Sequence, residues 1–183
     1  MVTIIHGGHR EGLCYHAAQT LKDSLEKKGE AVNFYSLRDY RFDFCCGNQP
    51  CQDSGTCIYS DVVTNEILPA IAGSKALVVF TPTYFNLPPA ILKNFMDRCN
   101  LLLTFEERKS LHFGSWISGQ TDEDEDSLEQ CYQSLAAFAE IFEYEVLNNG
   151  RIIRVEQNVQ QIELTDGDKD TIEKLATEII TLD

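Results

Sequence analysis

No apolar run in this sequence approaches the ~18 residues that a membrane-spanning helix requires. Met1-Val2-Thr3 leads straight into a strand pattern instead of a basic signal region, so a cytoplasmic protein without a membrane partner is expected. Basic residues are also scarce: fifteen Lys and Arg stand against twenty-nine Asp and Glu, a formal charge of -14. Such a surface repels nucleic acid and anionic membrane, which removes polyanions from the expected partners. Part of the acid is concentrated in Asp122-Glu123-Asp124-Glu125-Asp126, which reads as the solvated start of a helix. A surface that steers a basic electron-transfer partner is the alternative.

Histidine is sparse too. His6, His9, His16 and His112 are the only four, and no pair has metal-ligand spacing. Neither a metal site nor a Ser/His/Asp or Cys/His set is read, and no catalytic side chain is nominated. There is no internal repeat, low-complexity tract or linker, so the 183 residues are expected to form one domain. A chain of that length buries about 70% of its unfolded surface without staples.

What the sequence does contain is seven cysteines, an odd number that makes a disulfide framework a poor explanation. Cys14, Cys99 and Cys131 fall in predicted helices as small packing residues. Cys45, Cys46, Cys51 and Cys57 crowd into thirteen residues of a polar loop.

The remaining pattern alternates strand and helix. Val2–Ile5 is a short strand; His6-Gly7-Gly8-His9-Arg10-Glu11-Gly12 is a glycine-rich turn; and Leu13 to Lys28 is an amphipathic helix stopped by Gly29. Strand, glycine turn and helix amino terminus together suit a phosphate, because small residues let the backbone approach and free amides favour the anion. The turn matches neither the dinucleotide fingerprint nor the lysine-containing nucleoside triphosphate loop. A second strand covers 31–37, a long irregular connection 38–59, and a helix 61–72 that Pro69 should kink or shorten.

Ala76-Leu77-Val78-Val79-Phe80 is a continuous apolar run, as a parallel strand buried on both faces requires. Thr81-Pro82-Thr83-Tyr84-Phe85-Asn86 should break it, since proline cannot donate to a sheet ladder. Pro88 and Pro89 fit the first turn of a helix, with Ile91, Leu92, Phe95, Met96, Cys99, Leu102 and Leu103 at helical spacing. Residues 111–118 form a fourth strand ending at Gly119-Gln120-Thr121, followed by a helix with a stripe at Leu128, Leu135, Phe138, Ala139 and Phe142. Tyr144–Leu147 begins a fifth strand closed by Asn148-Asn149-Gly150; 151–164 is an edge or partner-facing segment; and Thr165 or Asp166 caps the last helix. Strands alternating with helices imply an α/β doubly wound parallel sheet.

Pro82-Thr83-Tyr84-Phe85 followed by Leu92-Lys93-Asn94-Phe95-Met96-Asp97-Arg98 resembles a segment of the NAD(P)H-dependent FMN reductase family, which is flavodoxin-like and includes the iron-sulfur flavoproteins. The resemblance covers roughly 2–150. It implies a five-stranded sheet in the order 2-1-3-4-5, with FMN at the switch point. In that family the loop after the third strand lies along the flavin ring, which implies that Pro82, Thr83, Tyr84, Phe85 and Asn86 frame the ring together with Gly119 of a third flavin-side loop.

The family's phosphate loop aligns with Gly8, His9, Arg10, Leu13, Cys14 and Tyr15. Arg10 matches, Gly8 stands where the family carries serine, and Leu13, Cys14 and Tyr15 replace small polar residues. A hydroxyl restored at position 8 is therefore expected to tighten FMN binding. Asp97 and Arg98 are expected to fix their helix instead of touching substrate.

The activity implied is FMN-dependent transfer of hydride and electrons from NAD(P)H to flavin, quinone, another small acceptor or a redox protein, by a homodimer or homotetramer. A flavin carries this chemistry itself while the protein orients it. An electron carrier without a nicotinamide site, or a flavin-free binding or redox-sensing protein using the Cys45–Cys57 loop, are the alternatives. Cys45, Cys51 and Cys57 match three positions of the four-cysteine motif of iron-sulfur flavoproteins, but Asn48 takes the second position. An amide is a poor substitute for a thiolate, so no stable cluster is expected. Loop packing, a zinc site or redox-active thiols are the uses that remain.

Overall fold

A parallel sheet of five strands, in the order β2-β1-β3-β4-β5, forms the frame of the computed structural model. Residues 1–47, 50–105, 111–120, 126–156 and 160–182 are described. The strands are β1 (Val2–His6), β2 (Val32–Ser36), β3 (Ala76–Pro82), β4 (His112–Gly119) and β5 (Glu145–Val155). The helices are α1 (Leu13–Lys27), α2 (Pro50–Ser54), α3 (Leu68–Ala72), α4 (Ala90–Arg98), α5 (Asp126–Ile141) and α6 (Asp166–Ile180). This is the doubly wound flavodoxin-like topology that the sequence implies.

The continuous apolar runs follow from burial on both faces. Val2, Ile4, Val78, Phe80 and Trp116 turn to α1 and α6, where they meet Ala17, Leu21, Leu25, Leu175 and Ile179. Their alternating neighbours Ile5, Leu77, Val79, Phe113 and Ile117 face the opposite way, onto Leu92, Phe95, Leu135 and Phe138 of α4 and α5. A strand between two helix layers has no polar face, so its sequence cannot alternate.

Four boundaries differ from the sequence expectation. β3 continues through Pro82, which pairs in register with Ser118. The missing amide is tolerated because the strand ends there, and the next donor, the Thr83 amide, reaches the Ser118 carbonyl at 3.0 Å. Pro89 precedes α4 as its N-cap and is not in its first turn. The 61–72 helix opens with a π-helical turn at Val63–Ile67 that runs directly into α3, where Pro69 stands in the first turn.

β5 is the largest difference. It runs past Gly150 to Val155 because a bulge opposite Phe113 and Ser115 resets its register. Asn148 and Asn149 donate their amides to the Glu178 carboxylate at 2.7 and 2.8 Å, which holds the bulge against α6. Residues 151–155 of the 151–164 segment are thus an edge strand. Thr165 caps α6 through a reciprocal box with Asp168.

The bulge also has a glycine that no larger residue fits. A Cβ at Gly150 would sit 2.8 Å from Leu147 Cβ, 2.9 Å from the Phe113 carbonyl oxygen and 3.0 Å from Gly114 Cα. Gly150→Ala is expected to destabilise the protein by about 1–3 kcal/mol. Denaturant unfolding would measure the loss, and an unchanged midpoint would show that the edge strand adapts freely.

Candidate functional site

Because β1, β3 and β4 are neighbours in register, the loops that leave their carboxyl ends must meet. The Gly7 amide donates to the Phe80 carbonyl at 2.8 Å, joining the first loop to β3. Gly7 and Gly8 are buried, and neither has room for a side chain. A Cβ at Gly7 would fall 2.7 Å from Leu92 Cδ2; one at Gly8 would fall 2.7 Å from His6 Nε2 and 3.1 Å from Pro82 Cδ. Gly119 is equally confined, since a Cβ there would fall 2.6 Å from Thr83 Cγ2.

The loop opens into α1 with Gly12 as the N-cap. Tyr15 and His16 both donate to the Gly12 carbonyl, while the amides from Gly8 to Cys14 make no backbone hydrogen bond among the described residues. A helix amino terminus with that many open amides has the chemistry to accept an anion. Arg10 is exposed and lies over Gly12, whose Cβ would meet its Nε at 3.3 Å. Leu13 and Cys14 are buried, so they can offer a ligand only their backbone. The Tyr15 ring turns edge-on to His6 at 5.3 Å.

Beyond β3 the chain makes a tight hairpin. The Tyr84 amide donates to the Leu87 carbonyl at 2.9 Å and the Leu87 amide returns to Tyr84 at 3.1 Å. Phe85 (φ 48°) and Asn86 (φ 66°) both occupy the left-handed region, as a two-residue hairpin turn requires. Asparagine tolerates that conformation, but a bulky phenylalanine there carries strain. Phe85 is nevertheless 100% exposed, so burial does not repay its conformation. Tyr84 is half-exposed and meets the His9 ring at 5.9 Å, which links the hairpin to the glycine loop.

Behind the rim lies a buried polar chain that sequence reading did not identify. The Ser118 hydroxyl donates to the Glu156 carboxylate at 2.5 Å and lies 2.8 Å from Cys14 Sγ. Ser118 has one proton, already committed to Glu156, so the Cys14 thiol donates to it. Burial pushes the Cys14 thiol up to about 12. His6 was also missed as a site residue. It is 1% exposed, with Nδ1 2.9 Å from Ser36 Oγ, and burial, then Arg38, then His9 lower its pKa from 6.5 to about 4. The signal in the sequence was position alone: His6 and Ser36 close strands, Ser118 is one residue from the end of β4, and Glu156 follows β5.

The cysteine loop is tied to α4. Arg98 is buried, grips Asp61 in bidentate fashion at 2.9 and 3.0 Å, and donates to the Asp43 carbonyl at 2.9 Å. Asn94 accepts from the Cys45 amide at 3.3 Å. Arg98 therefore fixes the loop, whereas Asp97 stays exposed and pairs with Lys93. Cys45 and Cys46 are exposed and Cys51 and Cys57 half-buried. Among the described residues no group of three or more His, Cys, Asp or Glu side chains is arranged for a metal. Asn48, Thr121 and residues 122–125 of the acidic stretch lie outside the described residues. No described helix is long and apolar enough to cross a membrane.

A sequence model of the NADPH-dependent FMN reductase family matches residues 1–113. The chain belongs to this family. Among curated proteins, the chain is 29% identical over 83 residues to an iron-sulfur flavoprotein of Archaeoglobus fulgidus, covering 45% of this chain and 40% of that one. It is 32% identical over 76 residues to an iron-sulfur flavoprotein of Methanocaldococcus jannaschii, covering 42% and 39%. The matches thus span about two fifths of those relatives' length. Among solved structures, an NADH:FMN oxidoreductase in its apo form superposes with a TM-score of 0.71 at 13% identity, over 100% of this chain and 89% of that one. A WrbA-like flavodoxin from Agrobacterium tumefaciens superposes at 0.66 and 16%, over 100% and 99%. Both likenesses show the fold.

The surroundings of Gly8 bear on the expected gain from a hydroxyl there. A serine at 8 has no space while the buried His6 ring stands there, so Gly8→Ser alone is not a simple gain of a phosphate donor.

Two measurements test this site. Cys45 and Cys46 should alkylate rapidly in native protein, and buried Cys14, Cys99 and Cys131 only after unfolding, as mass mapping would show. His6 stays neutral in the folded state while the unfolded imidazole takes a proton. Its contribution to stability is therefore fully present above pH 6.5 and lost as pH falls towards about 4. The loss amounts to roughly 3 kcal/mol. Unfolding curves of wild type and His6→Gln should converge at low pH, and a constant gap would remove His6 as the cause.

Proposed function

We propose that this protein is an FMN-dependent oxidoreductase that takes hydride from NAD(P)H and passes electrons to a small acceptor such as flavin or quinone, or to a redox protein. The observation that carries the reading is the glycine cradle. Gly7 and Gly8 have no space for a side chain, the amides from Gly8 to Cys14 are open, and the half-exposed and fully exposed aromatics of the Tyr84–Leu87 hairpin stand beside them. This donor set fits a phosphate monoester at one end and a planar ring at the other.

When bound, FMN would supply the hydride and electron chemistry. The amides from Gly8 to Cys14 and the Arg10 guanidinium would hold its phosphate, with His9 and Tyr15 beside them. Pro82, Thr83, Tyr84, Phe85, Asn86 and Gly119 would frame the ring and exclude water from it. No side chain is needed as a nucleophile. A homodimer or homotetramer, expected in the cytoplasm, would cover the exposed side chains of Phe85 and Leu87.

Purified protein should bind FMN in preference to FAD, because the cradle ends on one terminal phosphate. Absorbance titration with each flavin measures this, followed by anaerobic stopped-flow mixing of the FMN complex with NADPH and NADH. Bleaching of the flavin band by either nucleotide is expected. Reduction by dithionite alone would make the protein an electron carrier, and failure to bind FMN would end the flavin reading.

A further inference from the structure

The Gly7–Tyr15 loop has backbone donors and one exposed guanidinium, but no hydroxyl side chain directed at its interior from position 8. The space such a side chain would use is taken. His6 closes β1 immediately before the loop, and its Nε2 lies 2.7 Å from where a Gly8 Cβ would be built. The ring is 1% exposed and held on two sides: by Ser36 Oγ, 2.9 Å from Nδ1, and by the edge of Tyr15 at 5.3 Å. Ser36 is itself buried at the end of β2. Nε2 makes no hydrogen bond among the described residues, although Nδ1 does.

A buried imidazole with one nitrogen satisfied and the other turned into an anion-binding loop is an unusual arrangement for a structural histidine. The Ser36 hydroxyl can donate to Nδ1, which places the ring proton on Nε2 and makes that nitrogen a donor. The Gly7 amide is already committed to Phe80, so the first donor the loop offers from this side is the imidazole. The charged and titratable groups around the ring are Arg38, which pairs with Glu11, together with His9 and Tyr15.

We propose that His6 is a phosphate ligand, whose Nε2–H donates to the phosphate monoester held in the Gly7–Tyr15 loop and does the work of the side chain that position 8 lacks. The inference rests on the FMN reading and names a specificity residue within it: His6 separates phosphorylated flavin from riboflavin. Ser36 is a positioning residue, since it acts only by fixing the tautomer.

The test is a titration of wild type, His6→Ala and His6→Ala/Gly8→Ser with FMN and with riboflavin, followed by flavin absorbance. Losing one hydrogen bond to a charged group should weaken FMN binding about ten- to hundredfold in His6→Ala. Riboflavin affinity should stay unchanged. In the double variant the freed space admits the serine hydroxyl, so FMN affinity should recover while riboflavin affinity again stays put. In wild type, the His6 Nε2 nitrogen resonance should move on addition of FMN and stay still with riboflavin, a readout that survives a poorly folded variant. Equal losses for both flavins, tighter FMN binding in His6→Ala, or an unmoved Nε2 resonance with FMN bound would each overturn the assignment and leave the flavin reading intact. Wild type that binds neither flavin would overturn both.

Discussion

Close packing of side chains against glycine backbone at the carboxyl edge of the sheet is the constraint on which the rest of this structure depends. β1, β3 and β4 hydrogen-bond in register, so the segments after His6, Pro82 and Gly119 have nowhere to go but against one another. Gly7 against Leu92, Gly8 against His6 and Pro82, and Gly119 against Thr83 leave no volume for a Cβ. That crowding leaves main-chain amides at the surface of the loop and side chains below it. An anion meeting this surface finds donors fixed before it arrives, which lowers the ordering cost of binding.

α4 serves two parts of the molecule from opposite sides. Leu92 supports the glycine loop, while Asn94 and Arg98 reach the cysteine-bearing loop through Cys45, Asp43 and Asp61. Arg98 donates two hydrogen bonds to Asp61 with the guanidinium buried, so removing Asp61 would strand a charge away from water. The segment that resembles the family therefore reads physically as a brace: it sets the floor of the candidate site and the position of the cysteine loop together.

Much of the frame is visible in the sequence, because burial on both faces gives β1 and β3 unbroken apolar runs and the helices regular stripes. The boundaries that sequence reading misplaces share a cause. Pro82 ends a strand where no ladder donor is required, and Gly150 permits a bulge after which pairing resumes; both residues usually signal termination. The loop residues of the candidate site are nominated by their resemblance to a family, and the structure brings the three loops together. His6, Ser36, Ser118 and Glu156 escape notice for a different reason. Each is a polar residue at or just past a strand end, and only the three-dimensional register shows that Ser118 lies between Cys14 and Glu156, or that Ser36 meets His6.

The central claim is that an FMN phosphate sits on the amides of the glycine loop with its ring beside the Tyr84–Leu87 hairpin. Amide shift mapping of isotopically labelled protein during FMN titration tests it most directly. The account predicts the largest changes at Gly8 to Tyr15, with further changes at Thr83 to Leu87 and at Gly119. Changes confined to the cleft between α4 and α5, lined by Met96, Phe138 and Ile141, with the glycine loop unmoved, would contradict it.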